Sequence, residues 1–141
     1  MMDRSEVESR IPHRAPFLWI DRIEELEPGV RCVAWKLVDP ANPIFGGHFP
    51  TKPILPGVLL IEAVAQTAGV MMGALSEGDT EAVPLLAAVN RFKFLKPVSP
   101  GQELRIETRK LTDAGSMAYI EGTVSVDGAV VARGELSVVS A

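Results

Sequence analysis

VLLIEAVAQTAGVMMGAL, residues 58–75, is apolar on nearly every side of a helix, and Glu62, Gln66 and Thr67 are its polar exceptions. A helix without a solvated face is one that other protein surrounds. The run is nearly long enough to cross a bilayer. It lacks flanking positive charge, however, it carries a carboxylate near its start, and it lies amid strand-like sequence. The reading is a buried helix and no membrane span.

Upstream, residues 40–57 hold Pro40, Pro43, Pro50, Pro53 and Pro56 with Gly46, Gly47 and Gly57, which makes a shaped loop and not a regular element. Before it, apolar-rich stretches from Phe17 to Glu27 and from Val30 to Val38 flank the turn dipeptide Pro28-Gly29, predicting two antiparallel strands. Residues 2–10 are compatible with a short helix that Pro12 and Pro16 bring to an end.

Downstream, strands are predicted over Pro84–Leu95, Glu103–Leu111, Met117–Val126 and Ala129–Val139, with turns at Asp113–Ser116 and Asp127-Gly128. Period-two alternation puts Ala118, Ile120, Gly122, Val124 and Val126 on one face of the third of these, and Val130, Ala132, Gly134, Leu136 and Val138 on one face of the fourth. The predicted class is α+β: one antiparallel sheet wrapped around one long buried helix, in a single domain of residues 1–141.

Of the 141 residues, 47% are hydrophobic and 23% charged, a balance that folds. A net charge of -4 argues against nucleic acid as the main partner, since phosphate binding needs a basic surface. The single cysteine, Cys32, reads as a small buried hydrophobe. The first ten residues contain acids and no apolar core of secretory length, so the expected location is the cytoplasm.

Glu62 stands in the first turns of the apolar helix. Burial without a partner raises the pKa of such a group and fits it to donate a proton near neutral pH. Gln66, four residues on, shares its face and can orient it. A favourable interaction with the helix dipole, or a buried pair with an arginine, is the plainer alternative. His48 follows Gly46-Gly47 and precedes Phe49-Pro50, so its backbone bends tightly while its ring is fixed. An imidazole is the natural general base at this pH, although a purely hydrogen-bonding role is open. Gly57 stands at the helix N-terminus, where unpaired N–H groups favour developing negative charge on a carbonyl oxygen, or where it merely completes a turn. His13 has no acid near it in sequence and reads as structural. Metal-ligand spacing, a phosphate loop and a Gly-x-Ser-x-Gly nucleophile motif are all missing from the sequence.

The segments PHRAPFLWIDRI, GGHFPTKPILPGVLLIEAVAQTAG and FKFLKPVSPGQEL, in this order, resemble the (3R)-hydroxyacyl-acyl carrier protein dehydratase family of bacterial fatty acid synthesis, over about residues 11–138. The resemblance implies a hot-dog fold, the sheet being the bun and the helix the sausage. It implies a homodimer that joins two sheets into one, His48 of one chain facing Glu62 of the other, and three dimers in a hexamer. The implied reaction is elimination: His48 takes the proton beside the thioester, Glu62 protonates the departing 3-hydroxyl, and the Gly57 N–H holds the carbonyl oxygen. The product is a trans-2-enoyl thioester, and no cofactor or metal takes part. Glu62 replaces the Asp of a related dehydratase/isomerase branch, which favours plain dehydration.

The implied partner, acyl carrier protein, is acidic. Arg91 and Lys93, on the opposite strand face from Phe92 and Phe94, and Lys96 at the strand end are docking candidates. Ala15 where tyrosine is frequent, Leu85-Leu86 where aromatics are usual and Asn90 where Asp is usual depart from the family pattern and bear on acyl length and pathway. Two rival readings are a hot-dog thioesterase, which would release a free acid, and a non-catalytic acyl- or carrier-binding subunit.

Overall fold

Pro28-Gly29 closes the first hairpin as predicted. Gly29 takes φ +72°, a conformation L side chains rarely adopt, and joins β1 (Arg22–Glu27) to β2 (Arg31–Leu37) in antiparallel register. The computed structural model describes residues 1–73 and 84–140. β1 starts later than the predicted Phe17. The Phe17 carbonyl and the Trp19 N–H are engaged by the side-chain amide of Gln66 instead of a strand neighbour. The N-terminal helix α1 is only Arg4–Glu8, its first turn capped by Asp3, because Met2 is already paired as a bridge with Ile23.

The long helix α2 runs Gly57–Met72 and ends at Gly73, which adopts the left-handed conformation at φ +68°. The Gly29 N–H donates to the Met71 carbonyl at 2.8 Å, so the first hairpin turn supplies part of the helix's C-terminal cap. The predicted continuation over Ala74 and Leu75 lies outside the described residues.

β3 (Pro84–Phe94), β4 (Glu103–Ala114), β5 (Met117–Val126) and β6 (Ala129–Ser140) complete a six-stranded antiparallel sheet in the order β1-β2-β4-β5-β6-β3. β4 extends past the predicted Leu111, and Gly115 at φ +63° makes the turn into β5. The β5 alternation holds: Ala118, Ile120, Gly122, Val124 and Val126 are all buried. On β6 a register shift opposite Val124/Ser125 adds a residue, so Val131 and Ala132 are both buried and Val130, predicted inward, is half-buried.

The sheet curls around α2, which packs on β2, β4, β5 and β6. Contact is close enough at Gly122 that an added Cβ would stand 2.3 Å from Val64 Cγ1. This is the α+β hot-dog fold. One expectation needs correction. The described residues do not surround α2 completely: Val58 is 69% exposed, and Ile61, Glu62 and Ala65 are only half-buried, a stripe at helical spacing that they leave partly uncovered. Among the described residues no helix is long and apolar enough to cross a membrane. Cys32 is buried as expected, and burial pushes its thiol pKa up to about 12.

Candidate active site

The proline- and glycine-rich loop delivers His48 in a fixed pose. Pro43–Gly46 forms a 3-10 turn capped by Asn42, and buried Phe45 anchors it in the core. The His48 N–H donates to Ile44 O at 3.0 Å, and Ile54 N–H donates back to His48 O at 3.1 Å. The ring is pinned as well. Nδ1 lies 2.8 Å from the Ile54 carbonyl, an acceptor only, so Nδ1 carries the hydrogen. Nε2 is thereby left with its lone pair, the form a general base needs. Phe49 stacks on the imidazole at 4.0 Å between centroids, which gives that sequence-predicted residue a supporting place.

His48 lines an apolar cavity of about 500 Å³ that also takes in Gly57, Ile61, Phe94 and Lys96. Gly57 opens α2 behind Pro56, which offers no side-chain cap, so the first N–H groups of the helix are available at this cavity. A side chain there would collide with the lining: a Cβ on Gly57 would meet Phe94 Cε1 at 2.8 Å. Lys96 therefore belongs with His48, whereas Arg91 and Lys93 line a separate cavity of about 360 Å³ with Arg133, Glu121 and Glu135. The predicted basic group is thus split in two. Arg91 also departs from regular strand geometry, at φ +53° in a bulge between Asn90 and Lys93.

Glu62 does not line the His48 cavity and makes no hydrogen bond or ion pair with His48 in its own chain. Its carboxylate, with the side chain 20% exposed, accepts a hydrogen bond on Oε2 from Gln66 Nε2 at 2.8 Å. Gln66 is fully buried and fully used. It also donates to Phe17 O at 2.8 Å and accepts from Trp19 N–H at 2.7 Å, tying α2 to the segment before β1. The i, i+4 reading of Glu62 and Gln66 holds geometrically. The plainer alternative, a buried pair with an arginine, is not what the side chain makes among the described residues.

Sequence reasoning missed one neighbour. His13 Nε2 stands 3.7 Å from Glu62 Oε2, so the acid absent from its sequence surroundings comes from the helix. Burial lowers the His13 pKa, against the opposing pull of Glu62. No local signal joins residues 49 apart; the Gln66 clamp on Phe17 and Trp19 makes that connection in space.

A histidine with one committed ring nitrogen, an adjacent helix N-terminus and a separately held carboxylate on a hot-dog scaffold are groups suited to acid–base chemistry. The comparisons agree with this class. The FabA-like domain model matches residues 11–135, and the chain belongs to that family. The 3-hydroxyacyl-acyl-carrier-protein dehydratase FabZ of Geotalea uraniireducens is 44% identical over 96% of this chain and 94% of its own length. The protein of the same name from Roseiflexus castenholzii is 46% identical over the same shares. Among solved structures, the dehydratase heterocomplex ApeI:P from Xenorhabdus doucetiae superposes with a TM-score of 0.78 at 21% identity, covering 96% of this chain and 90% of the other. A hypothetical thioesterase with coenzyme A from Streptococcus pneumoniae gives 0.63 at 14% identity, covering 85% and 84%. At these identities the two structures speak for the fold alone.

Proposed function

We propose that this chain, acting as one hot-dog domain over residues 1–141, dehydrates (3R)-3-hydroxyacyl-acyl carrier protein to the trans-2-enoyl thioester, in fatty acid or related lipid biosynthesis in the cytoplasm. The observation that carries the reading is His48: Nδ1 is committed to Ile54 O, so Nε2 remains for the proton beside the thioester, in an apolar cavity shared with the start of α2. In the reaction, the C–H electrons left by that proton form the double bond while the 3-hydroxyl departs. Glu62 gives this oxygen a proton, and water is released. The Gly57 N–H receives the thioester oxygen as charge builds on it. No cofactor enters the balance. The names of the two curated relatives describe the same chemistry.

The chain works as a homodimer, because within one copy Glu62 neither lines the His48 cavity nor bonds to His48. The two sheet edges support this. β1, RIEELE, is a charged edge that Met2 further blocks, whereas β3 presents Leu85, Leu86 and Val89 exposed, and the uncovered stripe of α2 is apolar at Val58, Ile61 and Ala65. A second copy covers both. Three such dimers make the hexamer that the family resemblance implies. The acidic carrier docks at Lys96 by the cavity, with Arg91 and Lys93 further along β3.

The test is conversion of a 3-hydroxyacyl thioester of acyl carrier protein, followed by mass spectrometry, for the parent, His48→Ala, Glu62→Gln, and a mixture of the two variants refolded together. Each variant should be inactive alone. Co-refolding should restore about a quarter of parental activity, since half the dimers are mixed and each of these has one intact site. Release of free acid by the parent would replace dehydration with hydrolysis. Dead variants without restoration would place both residues in one chain's site.

A further inference from the structure

Outside the proton transfers assigned above, one titratable group beside Glu62 remains unused. His13 lies in the segment between α1 and β1. Its side chain is 18% exposed, its ring stacks on Phe17 at 6.5 Å, and its Nδ1 is buried without a hydrogen-bond partner among the described residues. A hydrogen on Nδ1 would be an orphaned buried donor, which is costly; a bare lone pair costs less. The favoured neutral tautomer therefore carries its hydrogen on Nε2, the nitrogen 3.7 Å from Glu62 Oε2. Burial keeps the ring neutral by lowering its pKa, although Glu62 pulls the other way and Arg14 adds to the lowering.

The geometry around the carboxylate is lopsided. Gln66 donates to Oε2, and His13 faces the same oxygen, while no donor among the described residues reaches Oε1. The segment that carries His13 is not loose. Arg14 Nη1 donates to Ile11 O at 2.9 Å, Phe17 N–H donates to Arg14 O at 2.9 Å, and Gln66 clamps Phe17 O and Trp19 N–H. One glutamine thus holds both the acid and the frame in which His13 sits.

We propose that His13 is a positioning residue for Glu62: with Gln66 it holds Oε2, so that Oε1 carries the proton delivered to the departing hydroxyl. This rests on the reading of Glu62 as the acid. At 3.7 Å the His13 contact is longer than a hydrogen bond, and it shortens when substrate fills the site, as catalytic contacts commonly do. When Oε1 releases its proton, the resulting charge is shared with Oε2 and met there by two N–H donors.

The experiment compares His13→Phe, which keeps a ring against Phe17 but no donor, and His13→Gln, which keeps an N–H, with Glu62→Gln in the full chain. Turnover of a 3-hydroxybutyryl thioester of acyl carrier protein is measured across pH, together with the thermal midpoint. His13→Phe should lower kcat about 10- to 100-fold, by misplacing the carboxyl, with KM within about twofold. The limb of the pH profile that reports Glu62 should move to higher pH, and His13→Gln should recover most of kcat. Full kcat in His13→Phe with a dead Glu62→Gln overturns the role of His13 alone. Equal losses in both His13 variants with an unmoved limb reduce His13 to packing, which also overturns it. An active Glu62→Gln removes the assignment of the acid itself. If His13→Phe does not fold, a kcat and limb in His13→Gln that match the parent support the donor role, and a loss there opposes it.

Discussion

Glu62 sits in a polar network closed inside its own chain, where Gln66 reaches the carboxylate, the Phe17 carbonyl and the Trp19 N–H at once. His48 has one side-chain hydrogen bond, to Ile54 O, and beyond it an apolar hollow. The acid side is held by Gln66 without substrate, because an unmet amide in a buried site is expensive. The base side is pinned at a single nitrogen beside an apolar cavity. A proton donor has to be aimed beforehand, whereas an acyl pocket has to remain vacant for its ligand.

That contrast can be broken at several points. The largest effect is expected from removing the two groups proposed to react: His48→Ala and Glu62→Gln should each lower turnover by about 10²- to 10⁴-fold while leaving the thermal midpoint nearly unchanged. Gln66→Leu strikes the closed side, orphaning the buried Trp19 N–H and Phe17 carbonyl. It should destabilise the fold by on the order of 2–4 kcal/mol in a urea titration and lower kcat as well.

Gly122→Ala pushes Val64, and with it α2, off the sheet, and calls for roughly 1–3 kcal/mol of lost stability. Gly57→Ala meets only the half-exposed Phe94 ring and should spare stability while altering KM. Equal destabilisation by the two alanines would abolish the contrast between the sides. On the open side, Lys96→Glu should raise KM severalfold for a carrier-bound substrate at low salt, with the difference fading as salt screens it.

The smallest effect concerns pH. The folded pKa of His13 lies below its ordinary value of 6.5, so the unfolded chain takes up that proton first. His13 therefore leaves stability untouched above pH 6.5 and lowers it as pH falls from there toward the folded pKa. Relative to the parent, His13→Gln should flatten this part of the stability profile in denaturant titrations at stepped pH.

The helix, the hairpin turns and the β5 alternation were legible because each is written in local periodicity or in a turn dipeptide. The bulges on β3 and β6 were not, since an extra residue in a ladder is dictated by its neighbours across the sheet; Gly134 can lie against the Phe92 backbone only where no Cβ intervenes. The uncovered stripe of α2 escaped notice because hydrophobicity marks a face for burial without naming the chain that covers it. Within the site, His48, Glu62, Gln66 and Gly57 stood out by type and spacing. The approach of His13 did not, because Gln66 creates it through contacts remote in sequence. Lys96 separated from Arg91 and Lys93 for a similar reason: it lies beyond the end of β3, next to His48, while the other two look out across β6.

The strand order also bears on how the protein is made. Among the described residues β3 pairs with β6 alone, and β4 and β5 are translated between the two. While β4 and β5 leave the ribosome, the nascent polypeptide carries Leu85, Leu86 and Val89 on a strand without a mate, an aggregation-prone state that lasts until β6 has emerged. A stop codon anywhere within β6 should therefore send the product to inclusion bodies although His48 and Glu62 are both present.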